Sequence, residues 1–470
     1  LKDKITYFNE LSAKRIKQRR AKGYYWNDIT RYCDYFINED ISVLEIGCGT
    51  GELLNDIKAK HKVGIDISEG MIAEAGKQFP QLELYVMPAE NISLDKKFDL
   101  VILSNLIGYL DDIQDVFQQL HKVCHANTKI IITYYNFLWE PFLKFGELIG
   151  YKTKTPGQNW LSLAEINSLL ELSGFKVYRN SRRMIFPVYI PLISELFNNV
   201  LAKFPFFRLL SINNFTFAKQ DESKLAEPKK DFSVSVVIPV RNESGNIENA
   251  MKRIPAMGKH TEIIFVESNS SDDTWQKLEE IQKKYSSTHD IKVAQCTIPG
   301  KNYAVRMGFG LASGEILMIL DGDLTVPPED LPKFYDVIVS GKADFVNGSR
   351  LVYRMDKKAM RTMNLVGNKF FSLAFTWLLD QRFKDTLCGT KVIFKKDYER
   401  LAANRKFFGE FDPFGDFDLL FGAHKLNLCI VELPIHYKER TYGTTNISRF
   451  RHGLILLKMC FFAARKIKFR

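Results

Sequence analysis

Apolar residues in this chain come in short runs of strand length, separated by stretches where they recur at helical spacing. Before residue 217, SVLEIG, KVGIDI, LELYVM, FDLVILS and KIIITYY read as strands, with GMIAEAGKQF and IQDVFQQLHKVC as helices among them. From residue 233 the pattern returns: SVSVVIPV, EIIFVES, IKVAQC and EILMILDG alternate with NIENAMKRI, DDTWQKLEEIQKKY and KNYAVRMGFGLAS. Strand and helix alternation of this kind predicts parallel sheets covered on both faces, so both halves are expected to be α/β. Between them, AKQDESKLAEPKKD loses periodicity and gathers charge and a proline, the mark of a solvated connector. The predicted division is a first domain over 1–218, a linker over 219–231, a second domain over 232–447 and a C-terminal helix over 448–470.

At 470 residues, 46% hydrophobic and 26% charged, the chain reads as globular and too long for one core. Its formal charge of +11 favours anionic partners: nucleotides, phospholipid head groups or nucleic acid. Seven cysteines, an odd number with no CxxC pair, predict a reduced cytoplasmic chain without structural zinc. The polar, basic stretch LKDKITYFNELSAKRIKQRR has no signal-peptide core behind it, which argues against secretion. No stretch reaches the roughly 18 uncharged apolar residues of a spanning helix. Two segments come near in character, FPVYIPLISELFNNVLAKFPFFRLL at 186–210 and GLILLKMCFFAARKIKFR at the C-terminus.

In the first half, VLEIGCGTGELL places Glu45, Gly47, Gly49 and Gly51 where a strand turns into a helix. Glycine permits close backbone approach to a ligand, and a helix N-terminus offers free amides, so a nucleoside-bearing ligand is expected. Asp66 closes the next strand, where a carboxylate can accept from ribose hydroxyls. A glycine turn alone leaves NAD as a rival. EIGCGTG, however, resembles the first motif of class I S-adenosylmethionine methyltransferases, and FDLVILSNLIGYLDD extends the likeness over roughly residues 40 to 180. That resemblance implies a Rossmann-like sheet and S-adenosyl-L-methionine as cofactor, with Asp66 as ribose acid and Ala89 and Glu90 on the adenine side. Asn105, Tyr109, Tyr134 and Tyr135 are candidates to line an acceptor pocket, with plain aromatic packing as the alternative. His121 and His125 lack a carboxylate to complete a ligand set and are expected to be solvated. A retired fold kept as a scaffold is the alternative to an active domain.

In the second half, Asp321 and Asp323 form DGD directly after the apolar run EILMIL. Alternate carboxylates beyond a strand end can share a cation, and Mg²⁺ or Mn²⁺ suits hard oxygen ligands and a diphosphate leaving group. Pro239 ends the first strand of this half, Asn242 and Glu243 follow in the turn over which a base can lie, and Glu267 ends the second strand. The order SVVIPVRNES, FVESNSSDDT, GKNYAVRMGFGLASGEILMILDGDL, NGSR, DTLCGTK and PIHYKERTYGTTN resembles the family 2 glycosyltransferases, most closely the polyprenyl-phosphate sugar synthases. The resemblance implies a GT-A fold, a GDP- or UDP-linked sugar donor and a polyprenyl phosphate or glycolipid acceptor. It gives Glu267 to the base, Lys301, Arg350 and Lys391 to the nucleotide sugar, and Arg440 to a loop closing on the diphosphate. Arg350, Lys391 and Arg440 also read as surface cations, Lys391 above all. The sequence departs from the pattern at Thr325, where relatives often have a glutamine ligand, and at Thr445 and Asn446, where they have a serine-lysine pair.

An ionised polyprenyl phosphate needs no base, whereas a sugar hydroxyl does. Asp416 and Asp418 in FGDFDLL match the family's acidic pair and are the base candidates for the second case. NKFFSLAFTWLLD matches the helix beside the acceptor site. In the tail, Arg451, Lys458 and Arg465 recur every seven residues while Leu456, Met459, Cys460, Ala463 and Ile467 share the opposite face. This predicts either a basic amphipathic helix in the membrane interface or a terminal helix packed on its own core. The expectation is a bifunctional, cytoplasmic enzyme held peripherally on the inner membrane face. Nucleic acid is not an expected partner, since no aromatic-rich RNA-binding signature accompanies the charge.

Overall fold

The computed structural model describes residues 2–37, 40–150, 158–221, 231–350, 362–407, 415–435, 437–438, 440, 442 and 449–469. The chain divides into two compact units, Leu1–Lys224 with Phe469–Arg470, and Leu225–Lys468. β7 runs to Gln220, two residues into the expected linker, because this text pairs on both sides in a sheet.

The first unit holds β1 (Ser42–Ile46), β2 (His61–Asp66), β3 (Glu83–Val86), β4 (Phe98–Ser104), β5 (Cys124–Tyr135), β6 (Phe175–Arg183) and β7 (Asn213–Gln220). Their order is β3-β2-β1-β4-β5-β7-β6. The strands from β3 to β5 are parallel, and β7 runs antiparallel to both β5 and β6. The sheet is therefore mixed, which corrects the all-parallel expectation. NNFTFAKQ shows polar residues at intervals yet is buried along its whole length, with Asn213 accepting from the Tyr25 hydroxyl and Thr216 donating to Asn180. The helices obey local rules: Asp112 caps Ile113–Val123, whose Ile113, Val116, Phe117 and Leu120 turn one face to the core.

The second unit holds β8 (Ser233–Val240), β9 (His260–Glu267), β10 (Asp290–Gln295), β11 (Ile316–Ile319), β12 (Phe345–Ser349), β13 (Lys391–Phe394) and β14 (Ile430–Pro434). The order is β10-β9-β8-β11-β13-β12-β14, parallel from β10 to β11, with β13 antiparallel between β11 and β12. Val236, Ile238, Phe265, Met318 and Phe334 belong to its core. The C-terminal helix Arg449–Ile467 packs against the helix Thr362–Leu379. Leu456, Met459, Cys460, Ala463 and Ile467 are buried there, so the predicted apolar face is used within the unit. Lys458 and Arg465 are exposed, whereas the Arg451 side chain lies outside the described residues. All seven cysteines are buried free thiols. Among the described residues, no helix is long and apolar enough to cross a membrane.

Candidate active sites

In the first unit, Gly47, Gly49 and Gly51 all take positive φ, from 53° to 80°, so the turn after β1 has a path that side chains disfavour. The turn is pinned from β2. Asp66 accepts the Gly49 amide at 2.8 Å on one oxygen and the Ser68 amide at 2.9 Å on the other. Burial raises its pKa, with these amides opposing. Glu45 lies beneath the turn, 2% exposed, and burial lifts its pKa to about 8, offset in part by Arg19.

A cavity of about 370 Å³ opens where the strands end. Gly47, Gly49, Asp66, Ala89 and Glu90 line it, whereas Glu45 does not. Asn105, Tyr109 and Tyr135 extend the wall past β4 and β5, while Tyr134 does not line it. Asn105 has a φ of 51° and donates to the Tyr25 hydroxyl at 3.1 Å, and its own Oδ1 is buried without a partner among the described residues. The opposite wall comes from the N-terminal helix Lys2–Ala21, which contributes Tyr7, Phe8, Leu11 and Arg15. Sequence reasoning missed this wall, because the helix text is polar and basic with almost no apolar face. His121 is not solvated: its two ring nitrogens meet the Ser173 carbonyl at 2.7 Å and the Gln220 amide at 3.0 Å, and its ring stacks on Phe175. His125 stands 3.3 Å from Asp99.

In the second unit, Asp321 and Asp323 follow β11, and each is met by a cation from elsewhere in the chain. Lys301, opening the helix Lys301–Leu311, donates to Asp321 at 2.6 Å, and Arg440 donates to Asp323 at 2.5 Å. Burial works against the charge on Asp321, but Lys301, Lys391 and Arg350 outweigh it and hold the carboxyl below its usual range. Burial likewise opposes the Lys301 charge, and Asp321, Asp416 and Asp323 more than offset it, raising its pKa. Thr325 turns to Asp323, donating from its hydroxyl at 2.8 Å and its amide at 3.1 Å. Gly389 of DTLCGTK lies flush against Asp321 and Lys301, so an added Cβ would overlap both.

Arg440 also stands 3.8 Å from Glu243. Burial lifts the Glu243 pKa to about 7, against the pull of Asn246 and Arg440. Tyr442 lies against Gly245 and reaches the Ser244 hydroxyl at 3.1 Å, at the start of the helix Ser244–Arg253 that follows β8. Asn242, at φ 55°, accepts the Ser271 amide at 2.7 Å, and Glu267 accepts the Ser270 amide at 2.5 Å. Pro239 sits within β8, one residue before its end. Thr445 and Asn446 lie outside the described residues.

Lys391 is 1% exposed, which corrects its reading as a surface cation. It donates to Asp416 at 2.8 Å and to the Cys388 carbonyl. Arg350 clasps Asp385 through Nε at 2.7 Å and a terminal nitrogen at 2.9 Å. Asp385 opens DTLCGTK, and only the fold brings it to Arg350. Asp418 pairs with Arg306 at 3.3 Å and Arg405 at 2.9 Å.

Residues 235–405 match the family model described as glycosyl transferase family 2, and residues 44–130 match one described as a methyltransferase domain. The chain carries a methyltransferase domain and a family 2 glycosyltransferase domain. A dolichol-phosphate mannosyltransferase of Pyrococcus furiosus is 40% identical over 122 residues, 25% of this chain and only 33% of that protein. The methyltransferase domain has solved neighbours of low identity. An S-adenosylmethionine-dependent methyltransferase of Thermotoga maritima is 16% identical, covering 45% of this chain and 98% of its own, with a TM-score of 0.36. One from Mesorhizobium loti is also 16% identical, covering 41% and 96%, with a TM-score of 0.32.

Proposed function

We propose that the glycosyltransferase domain moves a sugar, with inversion, from a GDP- or UDP-linked donor to a polyprenyl phosphate or related glycolipid. The observation that carries this is the clamp at the end of β11, where Asp321 and Asp323 are each held by a cation from a separate segment. A carboxylate has about four lone-pair positions, so both aspartates retain acceptor capacity for Mg²⁺ or Mn²⁺. Such an ion supplies Lewis-acid stabilisation of the departing diphosphate. Lys301 and Arg440 add fixed positive charge, and Asn242, Glu243 and Glu267 shape the turns assigned to the base. The contacts of Arg440 with Asp323 and of Tyr442 with Ser244 support a part for these two residues in covering the donor and excluding water.

The ionised acceptor is favoured over a sugar hydroxyl by the state of the two base candidates. Asp416 is bound to Lys391 and Asp418 to two arginines, so both carboxylates are already engaged in ion pairs within the fold. Peripheral membrane contact is supported by Phe370, Leu373, Leu454 and Phe461, which stay exposed on the two packed C-terminal helices, with Lys458 and Arg465 nearby in sequence. Incubation of the protein with radiolabelled nucleotide sugars, Mg²⁺ or Mn²⁺ and polyprenyl phosphate tests the reading. Lack of transfer from every common sugar donor rejects it.

For the other domain we infer methyl transfer from S-adenosyl-L-methionine. The cavity brings together the glycine turn, Asp66, Ala89 and Glu90, with Asn105 on its wall. Calorimetry with S-adenosylmethionine checks this, and a folded protein that fails to bind it is a scaffold instead.

A further inference from the structure

The segment 186–210 of the methyltransferase domain exposes a run of large apolar side chains and buries Ser194 and Asn198 beneath them. Two of its polar side chains point inward, while Glu195 and Asn199 stay exposed: Ser194, 0% exposed, donates to the Val188 carbonyl and accepts the Ile190 amide, both within 2.7 Å. Asn198, 6% exposed, accepts the Ile185 and Phe186 amides and donates to the Phe186 carbonyl and the Tyr24 hydroxyl. Its apolar side chains point outward, with Leu192 79% and Phe206 74% exposed. Water as solvent selects the reverse arrangement, whereas a hydrocarbon medium requires polar groups to be satisfied internally and apolar ones to face out.

A second element joins this surface. Trp139 donates from its indole to the Leu210 carbonyl at 2.8 Å, and the Asn136 amide reaches the Leu209 and Ser211 carbonyls at 3.1 and 2.9 Å. These bonds fix the helix Glu140–Leu148 beside the segment, and that helix exposes Phe142 at 69% and Leu148 at 82%. The cavity opens here: Trp139, Phe142, Leu143, Pro187 and Val188 line it, although Phe142 and Val188 are also surface residues. Along the row of strand ends, the glycine turn and Asp66 belong to β1 and β2, while Asn105 and Tyr135 belong to β4 and β5. The apolar mouth thus extends the acceptor side of the site.

We propose that this face docks on a lipid bilayer and that the methyl acceptor is an amphiphile entering the cavity from that bilayer. The acceptor class rests on the methyltransferase reading above. In the step, a lone pair on the acceptor heteroatom takes the sulfonium methyl, the carbon–sulfur bonding pair stays on sulfur, and any acceptor proton passes to water.

The test uses the full chain and phosphatidylcholine vesicles carrying brominated acyl chains, which quench nearby tryptophan. The Trp139 signal is taken as the difference between wild type and Trp139→Phe. We expect it to be quenched in wild type and vesicle affinity to fall by roughly tenfold or more in Leu148→Ser/Leu192→Ser/Phe206→Ser, with S-adenosylmethionine binding unchanged. An unquenched Trp139, equal quenching in the triple variant, or a solution dimer that this variant converts to monomer overturns the docking surface. Docking without S-adenosylmethionine binding removes the methyltransferase reading and with it the lipid acceptor. S-adenosylmethionine binding without docking removes the surface alone.

Discussion

Asp323 shares its carboxylate between Arg440 and Thr325, so Asp323→Asn keeps the volume and the Thr325 bonds while removing the charge. Sugar transfer should fall by about 10²- to 10³-fold with little change in melting temperature, read by radiolabel assay and thermal denaturation. Lys391 and Asp416 behave differently, because both are buried and each neutralises the other. Lys391→Met strands a carboxylate in the interior, and a loss of about 3 to 5 kcal/mol in denaturant unfolding is expected. Glu45 sets a pH dependence. Its folded pKa of about 8 lies above the ordinary carboxyl value because of burial, so the folded state binds its proton more tightly than the unfolded one. Its contribution is present at low pH and is lost as pH rises from about 4.5 through about 8. Unfolding of the methyltransferase domain should therefore become easier across that window, and Glu45→Gln should flatten the slope. The glycine turn and DGD were legible because their residue types are themselves the signal. The burial of Lys391 was not, since its partner stands far along the chain.

At the scale of elements, the C-terminal helix separates two roles that one periodic pattern carries. Leu456 faces the interior, 4% exposed, whereas Phe461 is 68% exposed. Leu456→Ala should cost about 2 to 5 kcal/mol of unfolding free energy, measured by denaturant titration. Phe461→Ser should leave that midpoint nearly unmoved. Seven-residue spacing identified an amphipathic helix in the sequence, but not whether its apolar face meets lipid or protein, because both environments select the same residues. The antiparallel β7 and β13 were hidden for a related reason. Strand direction is set by the partner a segment finds, not by its own text.

For the whole molecule, each unit has its own sheet and its own core, so the two should answer to ligands separately. Calorimetric scans should resolve two transitions. S-adenosylmethionine should raise one, and a nucleoside diphosphate with Mg²⁺ or Mn²⁺ should raise the other. A single transition moved by both ligands would mean that the units unfold together.

The sequence by itself determined two α/β halves, the glycine turn with its acid, and the paired aspartates after a buried strand. Each is written in residues adjacent along the chain, where local sterics and hydrogen bonding dictate the outcome. Tertiary structure alone decided that a polar N-terminal helix walls the cavity, that Lys391 is interior, and that the 186–210 segment buries Ser194 and Asn198. Those outcomes depend on which distant groups arrive to satisfy a charge or an amide, and pairing across space leaves no periodic trace in a one-dimensional text.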